Sequence, residues 1–571
     1  MMLASCRLFR RLREYAGFPQ KEDFCMKKIV SLLLAALLLA AAIPALAADE
    51  PVKLTWFVDV PSFVFNSEGW GMDRMTKEFT EKFGIEIEFI TAADESGAQL
   101  ATLISSDSLP DIITVKGLWD SPSTNLLKQM AEAELLASYN DLMDKYLPEE
   151  EKAGFRSDVM AWYALADGKT YAYPNYAYST DDLPEGKGLV PNRCIVVRAD
   201  LLEKLGNPSM ESPQDFLDVC ERAAKEIGTY NGLSIIGMQL YEAGNEAVSI
   251  VSQYFAVPWE TEDGHAYDAF VSGANKETYA FLNEAYRRGL ILDANYSDTR
   301  DQVREKIASG RVFALIAAPQ DFATEFKTLY DADPNAYYVP VVLRNANGDD
   351  PTLTDISGWG YLQTAISASC KDAEKLIKFI SYLVNDEGAI HLNRGWEGEH
   401  WIWNEDGTIH TVDSYKEEAS ADPTLNKKLG IGCFDLYSNW AFLMQFSEPL
   451  DLENPVDLKS YRTGDTTIKE PMSIYSYRAA QYKNDPQDER ATLVAEENVK
   501  RKSYMTIAEA ELLTAATAEA FEAKYAEIQQ TLPTVYDMEL CLQYSDDGLQ
   551  AGKAQLGVDF FFPPYAAAEA K

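Results

Sequence analysis

The side chains suited to nucleophilic or metal chemistry are few and poorly placed for it. Four histidines, at 265, 391, 400 and 410, occur without an H-E-x-x-H or a G-x-S-x-G pattern, so zinc-assisted and serine-dependent hydrolysis lack their usual arrangement. Cys194, Cys220, Cys370, Cys433 and Cys541 are widely spaced, with no C-x-x-C and no histidine at ligand spacing, which predicts buried free thiols and no zinc site or disulfide framework. The 90 acidic residues always leave room for a carboxylate pair that cleaves by acid and nucleophile, so their number alone excludes nothing. Ten tryptophans offer a different chemistry, since a flat apolar ring beside hydrogen-bonding groups holds a polar organic ligand without breaking a bond in it. Trp119 adjoins Asp120, Trp359 stands between Gly358 and Gly360, and Arg394, Trp396 and Glu397 fall together. Core packing is the commoner fate of a tryptophan. Trp56, on an alternating strand, is assigned to it, Trp259 is placed in a loop, and Trp401 and Trp403, on one strand face, suit either core or platform.

The elements that must position these groups can be read from periodicity. Val52, Leu54, Trp56 and Val58 alternate, as do Ile85, Ile87 and Phe89, while Met72, Met75, Phe79 and Phe83 between them have helical spacing. This is a β-α-β unit, and it predicts a parallel sheet flanked by helices. Ser212 and Pro213 open a helix with Phe216, Cys220, Ala223 and Ile227 on one face and Gly228 at its end. A second runs from Thr278 through Tyr279, Leu282 and Tyr286 to Gly289. Ser369 with Asp372, and Thr506 with Glu509, have the spacing of capping boxes, the latter opening a helix that Pro533 stops after Leu532. Turn-rich stretches at 180–192, 260–275, 345–358 and 404–425 separate them. The expected fold class is α/β, in two lobes with a helical C-terminal extension.

A formal charge of −39 over 571 residues disfavours broad binding to nucleic acid or anionic lipid, both of which need a basic surface. Lys27 and Lys28, the apolar run Ile29 to Ile43 and Ala45-Leu46-Ala47 form an export signal over residues 26–47, with Met26 the expected start. Removal of residues 1–47 takes away seven of the 51 basic and three of the 90 acidic side chains and leaves a charge of −43. No cysteine follows the signal to carry a lipid anchor, which predicts an extracellular or periplasmic protein, and no later segment has the roughly twenty apolar residues of a membrane span.

Six segments in order resemble the extracellular solute-binding proteins of ABC transporters, family 1, the group of maltose-binding protein and its larger relatives. LISSDSLPDIITV (Leu103 to Val115) resembles the family's Pro-Asp-Ile signature, and ADGKTYAYP (Ala166 to Pro174) its hairpin before the first crossover. IVVRADLLEKLGNPSMESPQDF, AFLNEAYRRGLI, ASGRVFAL and ISASCKDAEKLIKFISYLV complete the series, and RGWEGEHWIWNEDGTI (Arg394 to Ile409) is similar to a stretch of the longer members. The calcium loop of some long relatives is not matched, since EIGTYNGLSII lacks a carboxylate ladder, and no metal or other cofactor is expected.

The resemblance implies two lobes, 48–174 with 310–362 and 175–309 with 363–571, closing by a hinge on a ligand in the cleft. It implies a non-enzymatic, monomeric subunit that hands a small solute, with an oligosaccharide favoured, to permease transmembrane subunits. Trp119, Asp120, Asn175, Tyr176, Tyr178, Trp359, Arg394, Trp396 and Glu397 are the ligand contacts it suggests. A secreted glycoside hydrolase and a ligand-binding partner of a membrane sensor are the alternatives.

Overall fold

The computed structural model describes residues 50–569 except 62, 64, 66, 95, 117–121, 176–192, 242–244, 355–359, 361, 435–445, 447–471, 476–481 and 485–487. Trp119, Asp120, Tyr176, Tyr178 and Trp359 lie outside the described residues, as does the export signal. Lys53–Lys571 forms one compact unit.

The expected β-α-β unit opens the first sheet. Strand β1 (Val52–Val58) leads to helix α1 (Arg74–Phe83) and strand β2 (Ile85–Thr91). Asp73 caps α1 through Thr76 N, and Gly84 at φ 64° ends it. Strands β3 (Ile112–Lys116), β4 (Leu136–Ala137) and β5 (Ala172–Pro174) follow from the same part of the chain. The second sheet holds β6 (Cys194–Arg198), β9 (Ile236–Leu240), β10 (Val312–Ala317) and β11 (Tyr338–Pro340), with a small hairpin, β7 (Thr229–Tyr230) and β8 (Leu233–Ser234), beside it. Next come β12 (Thr352–Thr354), β13 (Leu362–Ser367), a hairpin of β14 (Trp401–Trp403) and β15 (Ile409–Thr411), and β16 (Ser473–Tyr475).

The first sheet has the order β2-β1-β3-β13-β4, with β5 also on β13, and the second has the order β11-β6-β10-β9. Every residue of β6, β9 and β10 is buried, as in strands covered on both faces. Two cores follow from the two sheets. One gathers Phe57, Leu100, Ile113, Leu127, Met130 and Ala365, and the other gathers Val196, Met238, Leu315, Phe216 and Leu282 with the C-terminal helices.

The sheets correct the expected division of the chain. Residues 310–362 are expected in the first lobe, but β10 is hydrogen-bonded to both β6 and β9, and β11 to β6. Residues from 363 on are expected in the second, but β13 pairs β3, β4 and β5. Helix α6 (Ala373–Val384) packs on α1 through Phe79 and Phe379, whose ring centroids are 5.4 Å apart. The first lobe therefore comprises the elements of 52–175 and 362–434, and the second those of 193–354 and 472–569. The chain crosses between them three times, before β6, before β13 and between 434 and 472. Parallel pairing of β16 with β12 places the third return beside the second departure.

Two helix starts also differ. Asp372 itself caps α6 by accepting from Lys375 N at 3.0 Å, so the box begun at Ser369 does not form. Thr506 lies inside a continuous helix, α8 (Arg490–Leu513), where its hydroxyl donates to Lys502 O one turn back. The break comes later, at Thr517, which caps α9 (Ala518–Val535), and Pro533 sits in the last turn of that helix. The stretch 404–425, read as a loop, contains β15 and a helix, Asp413–Ala421. A final long helix, α10 (Met538–Leu556), precedes Phe561 and Phe562, which bury against Trp259 and Leu549.

Candidate functional site

Strand directions decide which sheet edges meet the crossings. β1 and β3 run parallel, β13 runs against β3, and β5 runs against β13. The C-terminal ends of β1, β3 and β5 and the N-terminal end of β13 therefore share one edge, occupied by Asp59, Lys116, Asn175 and Leu362. In the second sheet the same reasoning brings the C-terminal ends of β9 and β10 and the start of β6 to one edge, occupied by Tyr241, Ala318 and Arg193. Ligands of open α/β sheets bind beyond the carboxyl ends of the strands, and both edges are of that kind.

Asn175 stands where the first crossing leaves the first sheet. It is 1% exposed, its N–H donates to Leu362 O at 3.0 Å, and its Oδ1 accepts from Leu362 N at 2.7 Å. The side chain thus continues the β5–β13 ladder by one rung and holds two crossings side by side. Gly360, at φ +98°, fits beneath it because an added Cβ would lie 2.2 Å from Pro174 Cβ. One residue into β13, Gln363 hydrogen-bonds the hydroxyl of Tyr163, whose burial raises its pKa.

The Arg394 to Glu397 group lies at the end of α7 (Asp386–Arg394), and the structure brings Trp396 to the first turn of α1. The Arg74 guanidinium is 3.8 Å from the centroid of the Trp396 ring, and Trp396 Nε1 donates to Glu78 Oε1 and Oε2 at 3.0 and 2.8 Å. Glu399 holds the other side of Arg74 at 2.7 and 3.1 Å. One face and the polar edge of this indole are thereby occupied within the lobe. Glu397 is exposed and Arg394 half-buried. Burial lowers the pKa of His391 and His400, whose rings lie 5.1 and 5.3 Å from that of Trp396.

Trp401 is buried, with Nε1 donating to Gly395 O, whereas Trp403 on the same strand face is 41% exposed. Trp56 is fully buried, as its strand position predicts, and its Nε1 donates to Thr114 Oγ1 at 2.8 Å. Trp259, placed in a loop, is core as well. The five cysteines are free thiols.

Sequence reasoning missed the polar groups at the strand ends. Asp59, directly after β1, is 3% exposed and accepts from Ser123 Oγ. Tyr241, directly after β9, has the Arg300 guanidinium 5.6 Å from its ring, and Arg300 pairs with Asp321 at 3.0 Å. Arg193, at the entry to β6, pairs with Glu246 at 2.8 Å. Asp59 and Tyr241 directly follow apolar strands and Arg193 directly precedes one, and a single polar residue in such a place forms no motif. An open groove of about 530 Å³, lined by Asn140, Met143, Phe155, Met160 and Thr170, involves none of these residues and lies within the first lobe.

The sequence profile of a bacterial extracellular solute-binding protein family matches residues 67–390, more than half of the chain. The chain belongs to that family. A search of curated protein sequences gives no significant match to this solute-binding protein. Among solved structures, it is similar to the alginate-binding protein AlgQ2 without calcium ion, at 16% identity and a TM-score of 0.59 over 88% of this chain and 98% of that one. It is similar to an HMO-binding, ABC-transporter-associated solute-binding protein of Bifidobacterium longum infantis, at 13% identity and a TM-score of 0.61 over 89% and 100%. It is similar also to the S. pneumoniae ABC-transporter substrate-binding protein FusA in complex with kestose, at 16% identity and a TM-score of 0.62 over 88% and 100%. At these identities the likeness is one of fold, and the fold is that of two-lobed solute-binding proteins. Among the described residues no helix is long and apolar enough to cross a membrane.

Proposed function

We propose that this solute-binding protein is the exported capture subunit of an ABC importer, that its cargo is an oligosaccharide held between the lobes, and that it catalyses nothing. The observation that carries the reading is the Asn175–Leu362 clasp, which pins two of three crossings at the strand ends of the first sheet. A hinge so placed lets two rigid lobes rotate while their ligand-facing edges stay opposed. Ligand touching both lobes then favours the closed form, the one a permease distinguishes from the open form. Family membership and the saccharide-binding relatives of the same fold support the cargo class.

In this reading Trp119, Asp120, Tyr176, Tyr178 and Trp359 contact the ligand, Asn175 positions them from the hinge, and Arg394, Trp396 and Glu397 border the first lobe. The export signal at 26–47 delivers the protein, as a monomer, to the cell exterior. The test is a thermal-shift and tryptophan-fluorescence screen of residues 48–571 against neutral and acidic oligosaccharides and peptides. A ligand at a hundredfold excess over its Kd adds about 2.7 kcal/mol of stability. A glycan response that is lost in Trp119→Ala or Trp359→Ala supports the reading. A response to peptides alone removes the cargo class, and consumption of a glycan by pure protein removes the transport role.

A further inference from the structure

The helix Arg300–Ala308 leads into β10 through residues 309–311 only, so the chain doubles back and the first turn of the helix comes level with the end of the strand. A capping box between Thr299 and Gln302 fixes that turn, the Thr299 N–H donating to Gln302 Oε1 at 2.8 Å. Asp321 stands in the short turn Pro319–Phe322 that follows β10. Arg300 Nη2 meets Asp321 Oδ2 at 3.0 Å, and the guanidinium is 5.6 Å from the ring centroid of Tyr241, directly after β9. The ring of Phe322, next to Asp321, stands edge-on to Tyr241 at 5.4 Å. Four side chains therefore close a circuit over the carboxyl ends of β9 and β10, the edge where a ligand of such a sheet binds. The two rings are buried, and the ion pair is outermost, with its side chains 44% and 36% exposed.

Pairing and exposure decide what this group can hold. A guanidinium only donates hydrogen bonds and a carboxylate only accepts them, so the pair offers both functions side by side. A sugar hydroxyl also does both, and two adjacent hydroxyls engage the two ends of the pair while the pair itself stays intact. A ligand carboxylate only accepts. To reach Arg300 it has to displace Asp321 or lie against it, and like-charge repulsion opposes either. Other described charges at the ligand-facing edges are balanced in the same way. Arg193 holds Glu246 at 2.8 Å in the second sheet, and Asp59 and Lys116 bring one charge of each sign to the first. The excess of 90 acidic over 51 basic residues adds a negative field that also disfavours an anion.

We propose that Arg300 and Asp321 set the specificity of the cleft for an uncharged oligosaccharide, with adjacent hydroxyls of one sugar bridging the guanidinium and the carboxylate. Tyr241 is a positioning residue that holds the guanidinium from below. This inference rests on the carbohydrate reading above and narrows it to neutral cargo.

The probes are neutral oligomers of glucose, galactose, mannose, xylose and fructose, two to four sugars long, and galacturonic-acid and glucuronic-acid oligomers of the same lengths. Calorimetric titrations at low and high salt use residues 48–571, Arg300→Gln and Asp321→Asn, with far-UV circular dichroism and melting curves establishing that each variant is folded. The expected result is that a neutral series binds roughly tenfold or more tighter than either uronate series, with an affinity that salt leaves nearly unchanged. Arg300→Gln is expected to weaken the neutral ligand by roughly tenfold or more. Asp321→Asn removes the carboxylate beside Arg300 and is expected to shift the ratio of uronate to neutral affinity upward by a similar factor, a change that mere loss of structure does not produce. Tighter binding of a uronate by the unsubstituted protein, an unchanged neutral affinity in folded Arg300→Gln, or an unchanged ratio in folded Asp321→Asn overturns the inference and leaves the carbohydrate reading standing. Failure of every saccharide to bind the unsubstituted protein overturns both.

Discussion

Asn175 and Leu362 exchange two hydrogen bonds, one from each backbone N–H, although they stand on different crossings 187 positions apart in the chain. Because the acceptor on Asn175 is its side-chain oxygen, Asn175→Ala leaves the N–H of Leu362 without that partner. An orphaned buried donor costs about 1–3 kcal/mol. The expected outcome is a melting temperature lower by a few degrees, measured calorimetrically in the absence of ligand.

Gly360 sets a harder limit on the same junction. A methyl group there would lie 2.2 Å from Pro174 Cβ and 3.3 Å from Asn175 O, and the residue holds φ +98°. Gly360→Ala combines strain at positive φ with a clash against backbone-fixed atoms, each costing on the order of 1–3 kcal/mol. It is expected to lower the melting temperature more than Asn175→Ala does, and any affinity for cargo should fall with it because the crossings shift. Equal melting temperatures for Gly360→Ala and the unsubstituted protein would count against the packed hinge.

A buried carboxylate ties the last turns of the chain to the second lobe. Glu260 is fully buried, its Oε1 accepts from Phe561 N and Phe562 N at 2.6 and 2.7 Å, and its Oε2 is 2.5 Å from Lys553 Nζ. Lys553→Met strands the charge of Glu260, and Glu260→Gln strands that of Lys553. Breaking one side of such a pair costs about 3–5 kcal/mol, whereas removing both charges costs much less. Chemical denaturation is expected to show each single variant strongly destabilised and the double variant partly restored. Limited proteolysis of Lys553→Met should cut first between 557 and 569.

Much of the fold was legible because local rules agreed with one another. The alternation of Val52 to Val58, the spacing of Phe79 and Phe83, the cap at Ser212 and the stripe of Tyr279 and Leu282 all formed as read. Lobe membership was not legible, since it depends on which strand β10 and β13 pair with, and apolar runs such as VFALIA and LQTAIS carry no mark of their partners. Thr506 misled for a related reason, because a threonine bonding back to residue i−4 has the same local sequence as one capping a helix. At the site, Trp396 was conspicuous by composition, but the groups that occupy it, Arg74 and Glu78, are more than 300 positions away. Asp59 and Tyr241 escaped notice since single residues after a strand form no motif.

The ring cluster around Trp396 gives the first lobe a pH response of predictable sign. His391 is half-buried among Phe79, Tyr382 and Trp396, with Nδ1 2.7 Å from the Tyr382 hydroxyl, and His400 lies between Trp396 and Tyr415. Burial lowers both pKa values, and Lys82 and Arg74 push His391 further down while Glu78 and Glu387 oppose them. A lowered folded-state value means that the unfolded chain, with histidine near 6.5, takes up protons first as the pH falls. Stability from these two neutral rings is therefore complete above about pH 6.5 and declines as the pH drops below it. Carboxylates with lowered values, such as Asp111, lose their contribution only in a more acidic range, below about pH 4. His265 acts oppositely, since Asp546 raises its pKa and its contribution fades as the pH rises, but it is exposed and the effect is small. Melting temperatures measured from pH 7.5 to 5 are expected to fall, and His391→Phe, which keeps a ring in place and removes the proton site, should flatten the slope. An unchanged slope in His391→Phe together with the corresponding His400→Phe would remove the cluster as its source.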